Sequence, residues 1–91
     1  DLLCRLGGEE FVIVMPGVNV QAATRIAERA RLSIQQEQFV IDAAGRTIPV
    51  TVSIGLAERA QDDAASLYRR ADQALYRAKA EGRNRVSADA A

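Results

Sequence analysis

Leu2-Leu3-Cys4-Arg5-Leu6-Gly7-Gly8-Glu9-Glu10-Phe11-Val12-Ile13-Val14-Met15 decides the fold. Two apolar runs, Leu2 to Leu6 and Phe11 to Met15, flank a pair of glycines followed by a pair of glutamates. Tight hairpin turns need positive φ, which glycine reaches without steric penalty, so the stretch predicts an antiparallel hairpin over residues 2–15. Pro16-Gly17 ends its second strand.

Outward from the hairpin the pattern alternates between helix and strand. Asn19 is a natural N-cap for a helix over Val20 to Gln36. Ala23, Ile26, Ala27, Ala30 and Ile34 follow the helical period and predict its buried face, with Arg25, Glu28 and Arg29 toward the other side. Arg25, Arg29 and Arg31 read as a solvated basic face with Glu28 as partner. Phe39-Val40-Ile41 and the stretch from Thr47 flank the turn Asp42-Ala43-Ala44-Gly45, predicting a second hairpin. From Thr47 the alternation is strict, with Ile48, Val50, Val52, Ile54 and Leu56 on one side. One continuous strand with one buried face is expected, its start at an unpaired edge because of Pro49. Asp62 or Asp63 can cap a closing helix over about 63–81, whose Leu67, Ala71, Ala74, Leu75 and Ala78 form one apolar stripe. Gly82 suits the left-handed residue that closes such a helix, and Asn84 to Ser87 predict a short last strand. The order ββ-α-β-β-α-β predicts an α/β (α+β) fold, a mainly antiparallel sheet with helices on one or both faces.

Composition sets limits on function. The 91 residues carry 12 basic and 12 acidic side chains, with 48% hydrophobic residues and 26% charged, a globular balance in one small domain or part of one. Zero net charge argues against a broad grip on DNA, RNA or an anionic membrane. No apolar run approaches the roughly 18–20 residues of a membrane span, and no stretch reads as a signal peptide. Without histidine, imidazole ligation and histidine acid–base chemistry are excluded. Cys4 in its apolar run reads as a small core residue of a reducing compartment. The chain opens inside a strand without an initiating Met, and is expected to be a piece of a longer protein.

Two groups of residues could carry chemistry. Glu9 and Glu10 beside bare glycine backbone can hold a hard divalent cation, and Gly7 and Gly8 let a phosphate approach the main chain. The ordinary alternative is that acidic residues near a turn are solvated decoration. Lys79, the one lysine of the chain, and Arg83 are four residues apart at the end of the closing helix and could bind phosphate oxygens from one side. The alternative is that cations at a helix C-terminus merely complement the macrodipole.

The conjunction of motifs resembles a known family. Arg5-Leu6-Gly7-Gly8-Glu9-Glu10-Phe11 is similar to the signature of the GGDEF domain family, in its GGEEF form. Thr51-Val52-Ser53-Ile54-Gly55 resembles the family's T-x-S-x-G strand. Arg70-Ala71-Asp72-Gln73-Ala74-Leu75-Tyr76 running into Ala78-Lys79-Ala80-Glu81-Gly82-Arg83-Asn84 resembles its closing AD-x-ALY-x-AK-x-x-GRN pattern. The three motifs, in order, span almost the whole chain and correspond to the C-terminal portion of the family domain, over 1–91.

The resemblance implies a fold like nucleotide cyclases and polymerase palms, with an N-terminal strand and helices preceding the hairpin and so missing here. It implies a diguanylate cyclase: two GTP condensed into cyclic di-GMP with release of two pyrophosphates, in a head-to-tail homodimer. Glu9 and Glu10 would then be catalytic and ligate Mg²⁺ or Mn²⁺, and Gly7, Gly8, Lys79 and Arg83 would bind substrate. Asp1 is in register for the Asp of the product-inhibition motif, with Arg29 as an additional product-binding residue. The family also implies bacterial signalling in the cytoplasm under an upstream sensor or receiver domain. Its first-strand metal ligand and guanine-reading residues precede the hairpin, so these 91 residues alone would be inactive. The competing reading is a non-catalytic module that binds GTP or cyclic di-GMP for regulation.

Overall fold

A computed structural model describes residues 2–6, 11–15, 17–61 and 63–89. The elements, in chain order, are β1 (Leu2–Leu6), β2 (Phe11–Met15), α1 (Val20–Gln36), β3 (Phe39–Val40), β4 (Thr47–Ile48), β5 (Ile54–Glu58), α2 (Ala64–Ala80) and β6 (Val86–Asp89). Four strands form one sheet in the order β2-β1-β5-β6, and β3 pairs with β4 in a separate two-stranded ribbon. β1 is antiparallel to β2, from Leu2↔Met15 to Leu6↔Phe11, and antiparallel to β5, from Leu2↔Glu58 to Leu6↔Ile54. β6 joins β5 in parallel, Ile54↔Val86 to Ala57↔Asp89, with α2 as the crossover. The α+β architecture and the first hairpin follow the sequence expectation. The glycine pair and glutamates between its strands lie outside the described residues.

The helices cover opposite faces of the sheet. On one, Leu2 and Cys4 of β1 and Ile54 and Leu56 of β5 pack with Val20, Ala23 and Ala27 of α1. On the other, Ala57 packs with Leu67 and Ala71 of α2. The expected stripe of α2 is buried in full: Leu67, Ala71, Ala74, Leu75 and Ala78. Small residues dominate it because the helix lies close to the strand. A Cβ added at Gly55 would stand 2.3 Å from the Leu75 backbone nitrogen and 2.4 Å from the Ala71 carbonyl oxygen. Side-chain caps start both helices, Asn19 accepting from the Ala22 N–H and Asp63 from the Ser66 N–H.

Four expectations need correction. The run from Thr47 is not one strand with one buried face. It divides into β4 and β5, and β5 is an interior strand whose Ile54, Gly55, Leu56 and Ala57 are all buried. Alternation failed as a guide because the residues facing α2 are Gly55 and Ala57, small for packing reasons rather than polar for solvation. Pro49, expected near the unpaired start of that strand, directly follows β4 in the stretch between β4 and β5. In α1, Ile26 is 47% exposed and Ala30 is also exposed, because the stripe centres on Val20, Ala23 and Ala27 and leaves those two at its margin. The last strand starts at Val86 rather than Asn84, because Gly82, Arg83 and Asn84 all take positive φ (124°, 63° and 47°). A residue in the left-handed region cannot continue a β ladder.

The second hairpin forms as expected around Asp42, whose carboxylate accepts from the Ala44 and Arg46 N–H groups and pairs with the Arg46 guanidinium. Those bonds hold the Asp42 carboxyl below its ordinary pKa. Cys4 is buried as expected, and burial pushes its thiol up to about 11.

Candidate functional site

The pairing register sets which ends of the elements meet. Leu6 and Phe11, the strand ends that flank residues 7–10, face each other across the hairpin, and Leu6 also faces Ile54, the first residue of β5. α2 runs back over β5 with Ala71 and Leu75 above Gly55, so its last turn, with Lys79, extends toward that same end of the sheet. The turn after α2 lies there too, since the Ile54 N–H donates to the Arg85 carbonyl. The two candidate groups, 7–10 and Lys79 with Arg83, are thus carried by elements that end at one edge of the fold.

Lys79 lines a shallow cavity of about 150 Å³ with Asp72, Leu75 and Tyr76, one face of α2 at helical spacing. Tyr76 is 74% exposed beside it. Asp72 connects this cavity to the hairpin: its carboxylate is 3.4 Å from Nε of Arg5, a buried arginine of β1 whose guanidinium also lies over the Tyr68 ring at 5.6 Å. Arg5, Tyr68 and Asp72 had no assigned role in the sequence. An arginine interrupting an apolar strand was the available signal.

Arg83 sits differently from the expectation. The helix closes with the Arg83 N–H donating to the Ala78 carbonyl and the Gly82 N–H to the Lys79 carbonyl, the paired bonds of a Schellman motif. Arg83 therefore stands beyond the helix in the left-handed region, and the four-residue spacing from Lys79 does not place the two on one helical side. Both remain at the C-terminal end of α2, where Arg77 and Lys79 also complement the helix dipole.

The turn itself is tied down from the other face of the sheet. Asn84 donates its N–H to the Ser53 hydroxyl at 3.2 Å. Its side-chain oxygen and its carbonyl accept from Nη1 of Arg31 at 2.8 and 3.3 Å. Arg31 in turn holds both oxygens of Glu28, each at 2.9 Å, which lowers the Glu28 carboxyl from its ordinary pKa. With 14% of its side chain exposed, Arg31 is no part of a solvated basic face, which corrects that reading. Arg29 does stand exposed on α1. Glu9, Glu10, Gly7, Gly8 and Asp1 lie outside the described residues. Among the described residues no cluster of three or more acidic or cysteine side chains could hold a metal, and no helix is long and apolar enough to cross a membrane.

A family model described as diguanylate cyclase, GGDEF domain, matches residues 1–85. The chain belongs to the GGDEF domain family. Among its curated relatives is the response regulator PleD of Caulobacter vibrioides, 44% identical over 93 residues, a match spanning 100% of this chain and 20% of the relative. Diguanylate cyclase A of Treponema denticola is 42% identical over 89 residues, spanning 96% of this chain and 24% of the relative. The GGDEF domain of DgcB from Caulobacter crescentus, solved in complex with c-di-GMP, superposes with a TM-score of 0.84 at 32% identity, covering 93% of this chain and 53% of that one. The chain thus spans a fifth to a quarter of these curated relatives and about half of the solved GGDEF domain.

Proposed function

We propose that these residues are the C-terminal portion of a single GGDEF domain, over 1–91, in a diguanylate cyclase that condenses two GTP into cyclic di-GMP and two pyrophosphates. The observation that carries the reading is the convergence of the hairpin ends flanking Gly7-Gly8-Glu9-Glu10 with the Lys79 end of α2 at one edge of the sheet. Each 3′-hydroxyl attacks the α-phosphorus of the other GTP, the new P–O bond forming as pyrophosphate leaves, in a head-to-tail pair of domains. Such a transfer needs in-line positioning and charge neutralisation more than covalent chemistry from the protein. Gly7 and Gly8 let the backbone approach the triphosphate. Lys79 and Arg83 bind its terminal oxygens, offsetting the negative end of the α2 dipole. Two adjacent carboxylates suit a hard cation, so Glu9 and Glu10 would hold Mg²⁺ or Mn²⁺, which would supply charge neutralisation at the phosphates and acidify the attacking hydroxyl. Asp1 and Arg29, the latter exposed on α1, serve product binding and inhibition. The parent protein is cytoplasmic and governed by an upstream sensor or receiver domain.

Glu9→Gln in the full-length protein tests the reading. It keeps the shape of the side chain and removes its charge, so cyclic di-GMP synthesis from GTP is expected to fall by about 100-fold or more. Undiminished synthesis removes Glu9 from catalysis. If the unaltered full-length protein binds GTP but makes no cyclic di-GMP with Mg²⁺ or Mn²⁺ present, the regulatory-module reading replaces this one.

A further inference from the structure

The turn after α2 is unusual in its backbone. Three consecutive residues, Gly82, Arg83 and Asn84, have positive φ, and two of them carry side chains. Single non-glycine residues in that region cost of order 1–3 kcal/mol and persist only where surrounding contacts over-determine them. The contacts here come from far along the chain. Arg31 reaches from α1, 53 residues away, to both the side-chain and backbone oxygens of Asn84. Ser53, 31 residues away, receives the Asn84 N–H, while the Arg83 N–H makes the local helix-closing bond to Ala78. Arg31 is itself aimed by its two-bond grip on Glu28, so its planar fork has a fixed direction when it meets Asn84.

The residue gripped is the immediate neighbour of Arg83. Two successive left-handed residues fix where the Arg83 side chain leaves the main chain, and loss of the outer anchor lets both relax toward ordinary φ. We propose that Arg31 is a positioning residue for the phosphate-binding turn, holding Asn84 left-handed so that Arg83 is presented at the end of the sheet where β1 closes and β5 opens. The inference rests on the phosphate-binding reading of Arg83. It assigns a task to an α1 residue on the opposite face of the sheet from Lys79, and to the family's closing Asn, whose side chain acts as an acceptor inside the fold.

The test is made in the full-length protein with Arg31→Ala, Asn84→Gly, Arg83→Ala and the Arg31→Ala/Arg83→Ala double variant. Asn84→Gly keeps the positive φ and the N–H to Ser53, and leaves the Arg31–Glu28 pair whole while removing the side-chain acceptor. It therefore serves where Arg31→Ala fails to fold. Amide hydrogen exchange at Arg83 and Asn84 is expected to quicken at least tenfold in Arg31→Ala, and less in Asn84→Gly, with exchange at Ala74 in mid-helix unchanged. Calorimetric affinity for GTP is expected to fall at least about tenfold in Arg31→Ala and in Arg83→Ala, with guanosine affinity unchanged, and the double variant to bind no worse than Arg83→Ala. Unchanged exchange at Arg83 and Asn84 in both Arg31→Ala and Asn84→Gly overturns the proposal. So does an equal loss of GTP and guanosine affinity, the mark of a merely structural role, or a full additive loss in the double variant. If Arg83→Ala leaves GTP binding intact, the phosphate reading of Arg83 itself fails. The proposal then falls with it, and the exchange data still separate that failure from a loose tether.

Discussion

Gly55→Ala adds one methyl group to the middle of β5, and its expected effect follows from the space the structure leaves. The new Cβ would lie 2.3 Å from the Leu75 nitrogen, 2.4 Å from the Ala71 oxygen and 2.7 Å from the Leu75 Cα. Carbon contacts are comfortable at about 3.5–4.0 Å, so α2 must retreat by about 1 Å. All three obstacles are helix backbone, which cannot rotate aside as a side chain can. Overpacking of a tight core typically costs about 1–3 kcal/mol, and an immovable neighbour puts this case at the upper end, about 3 kcal/mol. That is a large part of the roughly 5–15 kcal/mol that holds a domain folded. The assay is urea unfolding of the full-length protein, followed on the transition that reports this domain. With slopes of about 1–3 kcal/mol per molar urea, the midpoint should fall by about 1–3 M. Gly45→Ala is the control. It has positive φ but nothing within 4 Å of the added carbon, so only about 1–2 kcal/mol of backbone strain is expected. A loss below about 0.5 kcal/mol for Gly55→Ala, the level of ordinary surface changes, refutes the argument that helix and strand touch through their backbones there.

Further outcomes can be measured on the same protein. Lys79→Ala and Arg83→Ala should each weaken GTP by about 1.5–3 kcal/mol in calorimetry and leave guanosine unaffected, and an unchanged GTP affinity in both returns these cations to the helix dipole. Asp63→Ala should cost about 1 kcal/mol in urea unfolding by freeing the Ser66 N–H, with Asp63→Asn largely sparing it. Cys4, its thiol raised to about 11, should resist a thiol reagent at pH 8 until the domain unfolds, and rapid labelling of the native protein would place it outside the core. Glu28 has a folded pKa below its unfolded value, so the stability from its pair with Arg31 is present above about pH 4.5 and fades as pH falls through the lower folded value. Glu28→Gln should flatten that acid-side slope, and an unchanged slope refutes the pairing.

What the sequence made legible was local. The hairpin strands, both N-caps and the α2 stripe depend on signals within a few residues, and the structure reproduces them. What it hid was set by partners distant in the chain. Ile48 to Leu56 alternate as one half-buried strand would, yet β5 begins only at Ile54 and is buried on both faces, by α1 over Ile54 and Leu56 and by α2 over Gly55 and Ala57. Arg31 looked like one more surface arginine because its acceptor, Asn84, is 53 residues away. Ile26 and Ala30 fit the helical period but lie at the margin of the face that meets the sheet, and periodicity cannot say how wide that face is. Of the candidate site, Lys79 and the sheet end that carries it are visible in the fold, whereas Gly7 to Glu10 lie outside the described residues.

The family motifs divide physically into two kinds, and that division bears on which function the chain serves. Ser53 accepts the N–H of Asn84, Gly55 exists because a methyl would strike α2, and Gly82 supplies the first positive φ of the closing turn. These residues are requirements of packing α2 and its turn against β5. A protein that only bound a nucleotide would need them as much as a cyclase would. Asp72 and Tyr76 of the closing pattern border the Lys79 cavity, and Asp72 also anchors Arg5 of the signature strand. Retention of the T-x-S-x-G and GRN patterns is therefore an argument about geometry and does not discriminate between the two functions. Discrimination rests on the charges that chemistry alone demands. The sequence sets two carboxylates side by side at Glu9 and Glu10, a charge pair that a turn does not require and that suits a divalent cation. On the proposed reading a cyclase loses its rate with the charge of Glu9, whereas a module that only binds a nucleotide makes no such demand on it. That asymmetry makes the charge at position 9, ahead of the motif residues that pack α2 and its turn, the place where the functional reading is decided.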